Sequence, residues 1–226
     1  MKNRLALALA TSALLLGGAL SAAQDAAAPQ KAAAAPAGEA AVIAAQLPSY
    51  PLSTCPISDE ELDEGAVNVV AEGRLVRVCC KRCAAKVKES PAEAIAAVDA
   101  GVIADQGPRY PIGTCPVSGE ELGEGAVDVV VGTKLVRTCC KRCAAKVKSD
   151  STEAMAAVDA GWIEAGKKGY AVEVCPVSGE KLGSMGEPVD VLYGTRLVRL
   201  CCKGCVKKVR TDGAAVVAKL DELAAK

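Results

Sequence analysis

Twelve cysteines fall into three blocks of four, and this repetition constrains the chain more than any other feature. Cys55-Pro56-Ile57-Ser58, Cys115-Pro116-Val117-Ser118 and Cys175-Pro176-Val177-Ser178 recur at a spacing of 60, each following a tyrosine (Tyr50, Tyr110, Tyr170) by five residues. A second cluster completes each block: Cys79-Cys80-Lys81-Arg82-Cys83, Cys139-Cys140-Lys141-Arg142-Cys143 and Cys201-Cys202-Lys203-Gly204-Cys205. The third arrives two residues late because the loop Gly183-Ser184-Met185-Gly186-Glu187-Pro188 is longer. No cysteine is left over. The chain is an array of duplicated units.

Local signals repeat with the cysteines. Val-rich runs at 67–71 and 74–79 flank Glu72-Gly73, and the equivalent runs turn at Gly132-Thr133 and Gly194-Thr195. A two-residue turn containing glycine between such runs predicts a β-hairpin ending at the double cysteine. A helix is expected next, because Cys83/Val87, Cys143/Val147 and Cys205/Val209 are one turn apart. Ser90-Pro91-Ala92-Glu93 reads as the capping box of a second helix, with Asp150 and Asp212 at the equivalent cap position. Gly101 and Gly161 read as left-handed stops for the first two of these helices. The fold class expected is α+β: three tandem small modules of cysteine turn, hairpin, and one or two short helices.

Each unit is small and poor in aromatics, since the chain has no Phe, one Trp and four Tyr. A core of Val, Leu, Ile and Ala in a unit of this size contributes about 3–5 kcal/mol, so a staple is expected. Four cysteines supply one either as metal ligands or as two disulfides. For metal, cysteines three or four residues apart share one helical face and can reach one ion. A helix N-terminus and nearby cations also favour the thiolate. The cations are Lys81, Arg82, Lys86 and Lys88, then Lys141, Arg142, Lys146 and Lys148, then Lys203, Lys207, Lys208 and Arg210, with Arg77, Arg137 and Arg199 just before the double cysteines. For disulfides, the argument is that exported cysteine-dense domains are usually cross-linked.

The segments Cys175-Pro176-Val177-Ser178-Gly179-Glu180 and Val198-Arg199-Leu200-Cys201-Cys202-Lys203-Gly204-Cys205, joined by a glycine-turn hairpin, resemble the YHS/TRASH family of small metal-binding domains. The resemblance implies a treble-clef-like finger and a role in heavy-metal sensing, trafficking or resistance. Its three cysteines match Cys55, Cys79 and Cys83, then Cys115, Cys139 and Cys143, then Cys175, Cys201 and Cys205. Cys80, Cys140 and Cys202 are additional and would complete a four-sulfur shell. Ser58, Ser118 and Ser178 stand where the family often carries its first cysteine, and Val78, Thr138 and Leu200 replace its aromatic residues. No His is present, which excludes His-dependent variants.

Residues 1–23 read as a secretory signal peptide: Lys2 and Arg4, an apolar stretch at 5–20, then Ser21-Ala22-Ala23. Residues 24–47 are Ala- and Pro-rich and read as a tether, with a short helix near 39–45. The repeats are then 48–107, 108–167 and 168–226. The expected localisation is periplasmic or secreted, with no membrane span after signal cleavage. All twelve cysteines are candidate ligands, and all-thiolate sites select Zn(II) or Cu(I). The expected partners are metal ions and, if the metal is a staple, another exported protein. The alternative is a disulfide-stapled interaction module without metal. A thiol–disulfide oxidoreductase built on Cys80-Lys81-Arg82-Cys83 would need a thioredoxin-like βαβ unit, which the sequence lacks. Without His the usual hydrolytic nucleophile–base pairs are missing, so no enzymatic activity is expected. A balanced charge of 27 basic and 27 acidic residues, with few stacking aromatics, argues against nucleic acid.

Overall fold

A computed structural model describes residues 38–225. The predicted signal peptide (1–23) and residues 24–37 of the predicted tether lie outside the described residues. The architecture is α+β, three copies of one small module in tandem. In the first module β1 (Val67–Ala71) and β2 (Arg74–Val78) form an antiparallel hairpin, followed by α2 (Lys81–Glu89) and α3 (Pro91–Gln106). The second repeats this as β3 (Val127–Val131), β4 (Lys134–Thr138), α4 (Lys141–Ser149) and α5 (Thr152–Lys167). The third has β5 (Val189–Tyr193) and β6 (Arg196–Leu200), a 3-10 turn at Lys203–Cys205, and α6 (Val206–Ala224). Ahead of the first hairpin lies α1 (Glu39–Gln46). No helix among the described residues is long and apolar enough to cross a membrane.

The hairpin turns are where glycine spacing put them. Glu72 and Gly73 both take positive φ, the pairing that matches the right-handed twist of the strands. Successive strand side chains point to opposite faces, and here both faces are covered. On β4, Leu135 joins the core of the first module while its neighbour Val136 joins that of the second. Leu192 on β5 likewise packs into the second core, while Val191 packs into the third. Each hairpin is thus held between the second helix of the preceding module and the helices of its own. At the first hairpin α1 takes the place of that preceding helix. Its residues align with the last two turns of α3, and it packs on β1 and β2.

A glutamine bridge secures this packing. Gln46 donates from Nε2 to the Gly73 carbonyl (2.9 Å) and accepts the Leu75 N–H (2.8 Å). Gln106 repeats both bonds, fully buried, to the Thr133 carbonyl and the Leu135 N–H (2.8 Å each). The three turns also meet around residues 46–49. Thr133 donates to the Gln46 carbonyl (2.9 Å) and is bonded to Ser49 (2.7 Å). A Cβ on Gly194 would lie 2.6 Å from the Pro48 carbonyl oxygen, so the third turn reaches the same segment only as glycine. Ion pairs Arg74–Asp99, Lys134–Asp159 and Arg196–Asp221 recur at equivalent positions, tying each hairpin to its own last helix.

Two local expectations are corrected. Gly101 and Gly161 lie inside α3 and α5 and do not end them. A Cβ there would meet Leu52 Cδ2 at 2.6 Å or Ile112 Cγ2 at 2.5 Å, so these glycines admit the chain that enters each module. Ser90 makes no side-chain cap, although its N–H closes α2 on the Lys86 carbonyl (2.9 Å) just as that of Asp150 closes α4 on Lys146 (2.9 Å). Asp150 does cap, accepting the Thr152 N–H at 2.9 Å. Asp212 stands where expected, at the non-helical break (φ −147°, ψ 43°) between the two helical stretches of α6, and its carboxylate pairs with Lys208 (2.7 Å).

Candidate metal centres

Each centre is assembled from a loop, a strand end and a helix start. In the first module residues 55–60 form a tight knuckle: the Cys55 N–H donates to the Glu60 carbonyl (2.7 Å) and the Asp59 N–H to the Cys55 carbonyl (2.9 Å). The knuckle needs a left-handed residue, supplied by Asp59 (φ 59°), Gly119 (φ 77°) and Gly179 (φ 78°). Asp is among the few non-glycine residues that tolerate this conformation. The second strand brings Cys79 to the knuckle, and Cys80 begins α2 as its N-cap residue. Tyr50 explains its own recurrence. Its hydroxyl accepts the Arg77 N–H (2.9 Å), as Tyr110 does for Arg137 (3.0 Å) and Tyr170 for Arg199 (3.1 Å). That bond holds the outer edge of the strand two residues before the cysteines.

The sulfurs of Cys55, Cys79 and Cys83 all lie within 4.8 Å of one another, as do those of Cys115, Cys139 and Cys143, and of Cys175, Cys201 and Cys205. Within the trios Cys79–Cys83 is 3.8 Å, Cys139–Cys143 3.7 Å and Cys201–Cys205 3.9 Å. None is a bonded pair; a disulfide would bring sulfurs to about 2.05 Å. The edge of a sulfur tetrahedron around Zn(II), with bonds of about 2.3 Å, is about 3.8 Å. The donor set and its spacing therefore fit a soft metal ion. The fourth cysteine stands beside each trio: Cys140 is 3.7 Å from Cys139, and Cys202 is 4.0 Å from Cys205. In the first module Cys79 and Cys83 both bear on the acidity of Cys80.

The thiols divide in their acidity. Burial pushes Cys55 up, but the Ser58 hydroxyl and the N–H groups of Cys79, Ile57 and Ser58 outweigh it, bringing it from 9.0 down to about 7. The same balance brings Cys115 to about 6 and Cys175 to about 7. Cys80, Cys140 and Cys202 are also lowered, first by the N–H of the cysteine three residues on. That is the helix N-terminus stabilising a thiolate. The remaining thiols move the other way. Hydrogen bonding with the Glu60 carboxylate is the largest cause pushing Cys79 up to about 12. At Cys139 the Ser118 hydroxyl pulls down, and Glu120, burial and the neighbouring cysteines overcome it, again giving about 12. Burial, followed by Cys175 and Cys201, lifts Cys205 to about 12. One or two thiolates per module form readily; the others keep their protons until a cation offsets the accumulating charge.

Sequence reasoning missed several members of the site. Ser58, Ser118 and Ser178 lie against Cys79 (3.3 Å), Cys139 (3.4 Å) and Cys201 (3.3 Å). Glu120 accepts from the Cys139 thiol at 3.0 Å. Their recurrence at the cysteine period was the available signal. The basic residues of α2 and α4, Lys81, Arg82, Lys86, Lys88, Lys141, Arg142, Lys146 and Lys148, are exposed and donate to none of the sulfurs. Comparison with protein-family models, curated proteins and solved structures finds no match to the chain.

Proposed function

We propose that this is an exported soft-metal-binding protein, non-enzymatic, that holds one Zn(II) or Cu(I) ion in each module. The observation that carries the reading is the mutual approach of three sulfurs in every module, at the spacing of a metal–thiolate shell. Cys55, Cys79 and Cys83 hold the ion in the first module, Cys115, Cys139 and Cys143 in the second, and Cys175, Cys201 and Cys205 in the third. Cys80, Cys140 and Cys202 are the fourth ligands. The bound ion supplies the positive charge that lets the high-pKa thiols ionise, and it cross-links knuckle, strand end and helix start. The match of these nine trio positions to the YHS/TRASH pattern supports the same reading, and the sequence of residues 1–23 supports export. A metal that staples each module makes the array a scaffold for another exported protein; an exchangeable one makes it a carrier.

Mass spectrometry of the purified chain under native and denaturing conditions tests this. Three bound metal ions in the native spectrum, with all twelve thiols alkylated after chelation, is the expected result. A metal-free native mass with twelve hydrogens missing in the denatured one would replace the metal with six disulfides.

A further inference from the structure

The junction between the second and third modules breaks the repeat. Gln46 and Gln106 bridge to the hairpins that follow them, but the equivalent residue before the third hairpin is Gly166. A Cβ there would lie 2.6 Å from Leu197 Cβ, so strand β6 occupies the space that the glutamine side chain takes elsewhere. Where the first two junctions have the 3-10 turns Leu47–Ser49 and Gly107–Arg109, α5 runs on to Lys167, whose carbonyl accepts the Tyr170 N–H (3.3 Å). Beside Gly166, Thr195 and Leu197, the positions matching Gln106, Thr133 and Leu135, a cleft of 650 Å³ opens. That lies within the range of about 300–1,000 Å³ typical of small-molecule sites.

The lining has two characters. Trp162 and Tyr170 supply aromatic surface, and Leu197 and Leu220 are apolar. Trp162 stands where the earlier repeat has Val102, is 5% exposed, and carries the Arg109 guanidinium 5.0 Å from its ring centroid. Its indole N–H is buried without a partner among the described residues. The other pole is cationic. Arg109, Lys168 and Arg196 line the cleft, and no Asp or Glu does among the described residues. Arg109 is committed to Asp105 and Thr195, and Arg196 has one partner in Asp221. Lys168 forms no ion pair among the described residues, and a guanidinium with one carboxylate partner keeps further donors. We propose that this cleft binds a small aromatic carboxylate, with its ring against Trp162 and Leu197 and its charge held by Lys168 and Arg196. At the first two junctions the glutamine amide is bonded into the corresponding space.

Titration calorimetry of the full chain with 2-naphthoate tests the proposal, with 2-naphthalenemethanol and acetate as probes of each pole alone. Saturable one-to-one binding of 2-naphthoate is expected, at least about fivefold tighter than the alcohol, with no detectable binding of acetate. Lys168→Gln changes an exposed residue and should weaken 2-naphthoate by about two- to fivefold while leaving the alcohol unchanged. Ala165→Leu, on an exposed helical position lining the cleft, should weaken both. Absence of saturable 2-naphthoate binding, equal affinity for acid and alcohol, or binding unaffected by both substitutions would overturn it.

Discussion

The first two modules and the third hold the same sulfur trio in different surroundings. In the first two, Cys79 and Cys139 are half-buried, interact with the Glu60 and Glu120 carboxylates, and lead directly into an α-helix. In the third, Cys201 is 2% exposed, no carboxylate bears on it, and the helix begins with a 3-10 turn where Gly204 replaces arginine. The preceding loop is two residues longer, and the glutamine bridge has gone. Yet the knuckle, the serine contact, the tyrosine strap and the strand register are unchanged. Contacts internal to a module fix the cysteine cluster, while the junctions between modules are free to vary.

The comparison breaks first if the clusters are not independent. Cys55→Ser and Cys175→Ser should each remove one metal ion of the three and leave the other two, as counted by native mass spectrometry. The altered module should lose most of the metal-linked folding energy, on the order of 10 kcal/mol for a structural zinc site. Loss of all three ions from one substitution would show that the modules act as a single site.

The divided acidity gives the second test, on reduced, metal-free protein. Cys55, Cys115 and Cys175 have folded values depressed to about 7, 6 and 7, so the stability they confer is fully present above 9.0 and is lost as pH falls through 7 to 6. Cys79, Cys139 and Cys205 are raised to about 12, so their contribution is intact below 9.0 and is lost as pH rises towards 12. Metal-free stability should therefore peak near pH 9. Thiolate absorbance should rise by at least one group per module between about pH 5 and 8, with the earliest part missing in Cys115→Ser. A single step near 9 would contradict the division.

Gln106→Ala sharpens the junction contrast. It leaves the buried Thr133 carbonyl and Leu135 N–H unpaired and should cost about 3 kcal/mol in denaturant unfolding, against about 1 kcal/mol for the more exposed Gln46→Ala. The smallest effect separates the two helix starts. Asp150→Ala should cost about 1 kcal/mol, whereas Ser90→Ala should change stability by less than about 0.5 kcal/mol because Ser90 makes no side-chain cap. Equal losses would mean that the two starts are equivalent after all.

What could be read from the sequence was periodic or local. The three modules, the hairpin turns and the helix after the double cysteine follow from spacing, while the separation of Cys80, Cys140 and Cys202 from the trios was what the family resemblance implied. What could not be read was contact across the chain. Tyr50 and Arg77 are 27 residues apart, as are Gln106 and Thr133, and no local pattern pairs them. Gly101 and Gly161 misled for the same reason: a helical glycine reads as a stop unless the Leu52 or Ile112 that lies against it is known. The helix near 39–45 was legible, but its packing on the first hairpin was not, because nothing local pairs α1 with strands some thirty residues on.

The most direct test of the central claim is X-ray absorption at the metal edge of the loaded protein. A shell of sulfur alone, four atoms at about 2.3 Å around one ion per module, is the expected result. A shell with nitrogen or oxygen donors would contradict it, since the trios contain no ligand but cysteine.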